Sequence, residues 1–328
     1  MSDTYEICTA TDPQAWDEFV CQAVGGTVFS TWGWLQCAQQ ATGDAFRCLG
    51  VYRNGQLMAG LSGIETQRAG MRRFSTPVLT PHGGLLLAPV VGKGPAKAES
   101  EGQRAAELLI VHLRQEYHHC VLAHAPAVGD MRPFTWAGWE VRVRYTYQMG
   151  LGDREGLWER LERRTRTVIR KAEGKGFRVL PTEDMALFRQ QYERLYAHQG
   201  GRPPVDAGVA QRFAEAACRA GLARGLKVES TEGQVVAVVI FVCGAEGSYA
   251  WVAGADPELN HTGATSLLYW KYFEQEQGRF DFVGANLPAI AFFKRGFGGE
   301  LVPYFAVEGF RDPLVKGLFS GARVLRNL

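Results

Sequence analysis

The sequence is short of the features that settle a function at once, and each shortage excludes something. Its seven cysteines (Cys8, Cys21, Cys37, Cys48, Cys120, Cys218 and Cys243) are odd in number and scattered, with no C-x-x-C pair. That pattern argues against a disulfide frame or a zinc ribbon and for reduced thiols. No H-E-x-x-H, phosphate-binding P-loop or nucleophile elbow is present, so no metal site is expected. The run His118-His119-Cys120 reads as a solvated turn, not as a catalytic dyad or ligand set. The longest apolar run, "VVAVVIFVC", is about half a membrane span and reads as a buried strand. The opening "MSDTYEICTATDP" has no basic segment followed by an apolar one, so no signal peptide is expected and the expected location is cytoplasmic. Charge of one sign is also lacking. With 36 Lys and Arg against 34 Asp and Glu, the formal net charge is +2. The chain as a whole is no DNA binder, and any anion site must be local.

What is present is material for a core. At 328 residues, 46% of them apolar and 21% charged, two soluble domains are expected. A weak internal repeat supports this. "FRCLGVYRNGQLMAGLSGIE" and "LKVESTEGQVVAVVIFVC" both read as β-hairpins, turning at Asn54-Gly55 and Glu232-Gly233. Each is followed by an apolar helix opened by a Leu-Leu pair and then a short strand. Two copies of hairpin, helix and strand imply two α+β domains of related fold, residues 1–150 and 151–328, parted near "YQMGLGDREG". A Trp-rich helix, "VFSTWGWLQCAQQA", is capped by Ser30 or Thr31 and buries Trp34, Leu35 and Ala38.

Three stretches of the second half carry candidate chemistry. In "LWERLERRTRTVIRKAEGKG", 3-4-3-4 spacing gives an apolar stripe of Trp158, Leu161, Thr165, Val168 and Ala172. Glu159 and Glu162 stand four residues before Arg163 and Arg166 and are expected to pair with them. Arg160, Arg164 and Lys171 then form a basic ridge, read either as a solvated face or as a phosphate contact. In "ELNHTGATSLLYW", Gly263, Ala264, Thr265 and Ser266 open a helix whose amides and dipole can cradle an anion. In "GANLPAIAFFKRGFGGE", Pro288 suits a first helical turn and the glycines a stop, with Ala289, Phe292 and Phe293 expected to bury. Lys294 and Arg295 fall in the last turn. Arg202, in the Pro-rich "HQGGRPPV", could reach a cleft, as could the carboxylates Asp256 and Asp281.

The order of hairpin, small-residue loop, helix, strand and then Asn286-x-x-Ala289-x-x-x-Phe293, Gly296-Phe297 resembles the Gcn5-related N-acetyltransferase (GNAT) superfamily. "FKRGFGGE", the basic helix "RTVIRKA" and "FTWAGWEVRVRYTYQM" look like its Fem-type, tandem-domain branch. The resemblance implies an α+β fold of two tandem GNAT-like domains, each a mixed central sheet flanked by helices. It implies donor phosphates bound at Gly263, Ala264, Thr265 and Ser266, although Asn260 and Thr265 depart from the usual phosphate signature. It implies substrate contacts from Lys294, Arg164, Arg166, Arg170 and Lys171, and Arg202, Asn286 and Trp251 are grouped with them. The tyrosine that often acts as general acid corresponds to Phe293, which has no proton to give.

The expected activity is therefore N-acyl or aminoacyl transfer to a primary amine on a small molecule, peptide or cell-envelope precursor. The donor would be an acyl-CoA, a carrier-bound acyl group or aminoacyl-tRNA, with no tightly bound cofactor. The catalytic residues are not named by the sequence. Peripheral membrane contact is allowed. The alternative is a non-catalytic binding module on a degenerate GNAT fold that recognises a peptide or envelope precursor.

Overall fold

Both hairpins form where their turn residues require. In the computed structural model, which describes residues 4–90, 92, 94–198 and 201–317, Asn54 (φ 50°) and Gly55 (φ 81°) join β2 (Ala45–Arg53) to β3 (Gln56–Arg68). Positive φ at both central residues matches the right-handed twist of the paired strands. Gly233 (φ 81°) does the corresponding work between β9 (Ala223–Glu229) and β10 (Val235–Gly244).

Packing divides the chain into two units: Met1–Gln39 with Gly43–Arg144 and Pro303–Leu328, and Gln40–Thr42 with Tyr145–Val302. The glycine interruption at Gly150 and Gly152 lies at the end of β7 (Glu140–Leu151), whereas the divisions fall at Tyr145 and Pro303. In the first unit, β1 (Tyr5–Thr9), β2, β3 and β4 (Met71–Ser75) pair antiparallel in chain order. β6 (His119–Ala123) then lies parallel to β4, and β13 (Glu300–Phe310) antiparallel to β6. β5 (Gly84–Leu87) adds to β3. The helices are α1 (Pro13–Gln22), α2 (Trp32–Thr42), α3 (Pro95–Glu116) and α4 (Arg132–Trp136). In α2, Thr31 accepts the Trp34 amide as N-cap, and Trp34, Leu35 and Ala38 are buried, as their spacing requires.

The second unit repeats this order. β8 (Arg178–Thr182), β9, β10 and β11 (Gly247–Ala255) pair antiparallel, β12 (Gly278–Asp281) lies parallel to β11, and β7 antiparallel to β12. Around it are α5 (Arg154–Arg160), α6 (Arg163–Gly174), α7 (Met185–His198), α8 (Ala207–Arg219), α9 (Ala264–Phe273) and α10 (Pro288–Arg295). β10 is the "VVAVVIF" run, with Val236 to Val242 fully enclosed. α9 is buried at every position but Thr265 and Lys271, the latter paired with Glu173 and Glu274. Its Tyr272 stacks on Phe241 at 3.7 Å, and Tyr269 packs against Phe282 and Phe297. Among the described residues, no helix is long and apolar enough to cross a membrane.

Candidate functional site

The site is a strand separation in the second unit. β11 and β12 share only two registered pairs, Ser248 with Phe280 and Tyr249 with Asp281, while β11 stays paired to β10 along to Ala255. Beyond Tyr249 the edge of β11 that faces β12 therefore diverges from it. The β10 register steps between Ile240 and Phe241, making Trp251 the inserted residue of a bulge that bends β11 at the divergence. Strand edges that separate in this way offer main-chain groups to an extended ligand.

The first unit has the same parallel pair, but there the edge stays bonded beyond it. β4 ends at Ser75, and β5 takes the vacated place beside β3, from Ala59 opposite Leu87 to Ser62 opposite Gly84. The incoming chain is tied to the end of β6: Gly83 N donates to Ala123 O (2.9 Å) and Leu85 N to His124 Nδ1 (3.1 Å). Gly84 (φ 71°) is glycine because a Cβ there would lie 2.7 Å from that imidazole nitrogen. Burial holds His124 neutral, pushing it down to about 3. β5 thus stands in the first unit where Ala250–Ala255 of β11 stand in the second, with its edge joined to the end of β6.

At the start of α9, Gly263 is the N-cap with φ 81°, a value an L side chain adopts only at a cost. A Cβ there would also meet Val168 O of α6 at 2.5 Å. Thr262 Oγ1 donates to Leu259 O (2.6 Å) and accepts the Ala264 amide (3.3 Å). Ala264 and Ser266 are buried, and Thr265 Oγ1 is enclosed with no hydrogen-bond partner. The four expected phosphate contacts thus sit together against α6, with the Thr265 hydroxyl enclosed.

The far wall of the separation is the loop after β12, and Lys294 holds it. Its ammonium donates to the carbonyls of Phe282 (2.7 Å), Gly284 (2.6 Å) and Val283. Burial pushes this lysine down to about 8, with nearby Asp281 opposing. Asp281, itself buried, accepts from Thr146 Oγ1 (2.5 Å), Gln148 Nε2 (2.7 Å) and Val283 N (2.7 Å). Val283 is thereby held at φ 52°, an outlier for a β-branched residue that only an over-determined loop sustains. Asn286 Oδ1 accepts from Tyr145 N (2.9 Å) and fixes the loop's exit. Lys294, expected at the substrate, directs its ammonium to three carbonyls of its own backbone in this structure.

Other expectations change for related reasons. The chain breaks at Leu161 and Glu162, both extended, so i,i+4 pairing does not carry across from α5 to α6. Arg166 instead donates to the carbonyls of Glu159 (3.0 Å) and Trp158 (3.4 Å), closing the end of α5. Arg164 pairs with Glu162 (2.7 Å) and donates to Phe292 O (2.6 Å), so it is no free member of a ridge. The buried stripe runs through Leu157, Leu161, Thr165, Ile169 and Ala172, with Ile169 in place of Val168. Phe292 is 56% exposed and Ala289 is exposed, because α10 meets the core only through Ala291 and Phe293. Trp251 is buried edge-on to Phe213 (4.9 Å), so its side chain belongs to the core. Arg170, Lys171 and Arg202 are exposed. Asp256 caps the turn before α9 and meets Arg194 at 3.3 Å. His119 is buried on β6 at 2.8 Å from Glu308, not in a solvated turn. The polar pair that anchors Asp281, Thr146 and Gln148 of "YTYQM", went unremarked in the sequence. Its two-residue spacing puts both on one strand face.

The strand order shared by the two units is that of a tandem GNAT fold, and comparison bears this out. Residues 159–295 match the model of the acetyltransferase (GNAT) domain. Among solved structures, FemX superposes with a TM-score of 0.67 at 12% identity, over 92% of this chain and 96% of that one. L-PGS from Bacillus licheniformis gives 0.56 at 11% identity, over 97% of each chain. A tandem GNAT protein from the clavulanic acid biosynthesis pathway gives 0.53 at 14% identity, over 94% and 99%. At these identities the likeness is one of fold. No curated protein matches the sequence significantly.

Proposed function

We propose that this chain is an N-acyltransferase whose second unit binds an acyl thioester of CoA or a carrier, and that the acceptor is a primary amine on a peptide or cell-envelope precursor in the cytoplasm. The observation that carries the proposal is the contrast between units: β11 leaves β12 after two registered pairs, whereas the corresponding edge of the first unit stays bonded to the end of β6 through Gly83 and Leu85. In the second unit, the extended arm of the donor lies along the β11 edge and its phosphates approach the first turn of α9, where amides and dipole favour negative charge. The amine attacks the thioester carbonyl, a C–N bond forms, the C–S bond breaks, and the thiol leaves with a proton passed through water. Backbone amides of β11 stabilise the developing oxyanion, and alignment supplies much of the acceleration. Asp281 and Asp256 are committed to structural hydrogen bonds and serve as positioning residues, not as the base.

The test is thermal stabilisation by acetyl-CoA, longer acyl-CoAs and aminoacyl-tRNA. A thioester at a hundredfold excess over its Kd adds about 2.7 kcal/mol. Stabilisation by aminoacyl-tRNA alone would move the donor assignment, and no response to any donor would favour the non-catalytic binding module.

A further inference from the structure

The loop held by Lys294 leads straight into α10, and α10 exposes what a soluble helix normally hides. Leu287, Ile290 and Phe292 are 61%, 41% and 56% exposed, and none of the helix's eight residues is fully buried. The same end of the unit is cationic. Glu162 N donates to Gly296 O, which draws the start of α6 against the end of α10 and brings Arg163 and Arg164 with it. The Phe292 ring lies under two guanidinium groups, those of Arg164 (3.2 Å to the centroid) and Arg295 (5.4 Å). A single carboxylate, Glu162, serves both arginines (2.7 and 3.1 Å). Arg160, whose carbonyl faces Gly298, adds a further positive charge, and Glu159 a negative one.

Exposed apolar side chains flanked by an excess of arginine match an anionic lipid surface on both counts. The apolar groups enter the headgroup boundary while the guanidinium groups meet the phosphates. A second copy of the chain fits less well. Three partly exposed side chains offer roughly 300 Å², well below the roughly 800 Å² per partner of a stable interface. We infer that α10, with the arginines of α6 beside it, is a shallow docking element for an anionic bilayer, and that it brings the adjacent cleft to an amine acceptor carried on that surface. The inference rests on the acyl-transfer reading for the acceptor's identity but not for the docking.

The experiment is co-sedimentation of the full chain with vesicles of phosphatidylcholine, and with vesicles of equal parts phosphatidylglycerol and phosphatidylcholine. Binding is expected to the mixed vesicles and not to pure phosphatidylcholine, and to be released by salt. L287D/I290E should lose at least about tenfold in vesicle affinity. The variant keeps its fold, since both positions are exposed and aspartate is favoured before a first helical turn. Arg163→Glu, which removes one charge and adds the opposite, should lose more than about tenfold. No binding by wild type, equal binding to both vesicle types, or undiminished binding by L287D/I290E overturns the proposal. So does a wild-type dimer that L287D/I290E turns into a monomer without vesicle binding. Acyl-CoA stabilisation is read on the same samples, so a failed docking element is distinguished from a failed donor site.

Discussion

Replacing Lys294 by methionine tests the idea that this lysine is a strut inside the protein. The variant keeps the length of the side chain and removes the ammonium from three carbonyls, those of Phe282, Val283 and Gly284. Leaving each acceptor bare costs about 1–3 kcal/mol, or roughly 5 kcal/mol for the three. Against this, burial has pushed the ammonium from its ordinary 10.5 to about 8, a drop equivalent to roughly 3 kcal/mol that the variant recovers. The net loss is about 2 kcal/mol, or a Tm lower by about 4–8 °C for a unit of this size. The pH dependence separates the terms. Below about 8 the lysine is protonated in both folded and unfolded chains and adds no slope. Between about 8 and 10.5 the unfolded chain holds a proton that the folded one has released, so wild-type stability rises with pH. Urea denaturation at neutral pH and near pH 10 measures both effects. The expected result is a gap between wild type and Lys294→Met that widens by up to about 3 kcal/mol at the higher pH. An unchanged Tm with identical pH slopes would refute the strut and return Lys294 to the acceptor site.

Three further outcomes follow from contacts described above. Asp281→Asn turns an amide toward donors from Thr146, Gln148 and Val283, and should cost about 2–4 kcal/mol in chemical denaturation. Gly263→Ala forces a Cβ against Val168 O at φ 81°, and should cost about 2–4 kcal/mol while weakening any stabilisation by acyl-CoA. Arg170→Glu with Lys171→Glu, both exposed, should leave the Tm within about 4 °C. Their effect on donor affinity, read by titration, separates a phosphate-facing surface from a solvated one.

The repeat, the Asn54-Gly55 turn and the Trp34 helix were legible because each depends on local chemistry: a positive-φ pair, a cap, a period. The donor loop was legible as a cluster of small residues, although the reason for Gly263 lies in a helix that precedes it by almost a hundred positions. What misled was long-range context. The i,i+4 arithmetic around Arg163 and Arg166 assumed one helix, and two extended residues at Leu161 and Glu162 broke it. Lys294 and Arg295 adjoin in sequence, yet one turns inward to a loop and the other outward to Glu162. No periodicity distinguishes those two fates. The same holds for β5, whose "GLLL" reads as any short strand and whose role, carrying the edge of β4 onward beside β3, depends on β4 stopping at Ser75. Of the site residues expected from the sequence, Gly263 to Ser266 are adjacent in space. Lys294, Arg164, Arg166 and Asn286 are committed to backbone contacts that shape the cleft.

The most direct measurement of the central claim is hydrogen–deuterium exchange of the whole protein with and without acetyl-CoA. Protection is expected only in the second unit, on the β11 edge from Ala250 to Ala255 and at the start of α9 from Gly263 to Ser266. No change on Gly84–Leu87 of β5 is expected, because the amides of Gly83 and Leu85 on the corresponding edge of the first unit are already bonded to the end of β6. Protection centred on β5 and the end of β4, with none at β11, would contradict it.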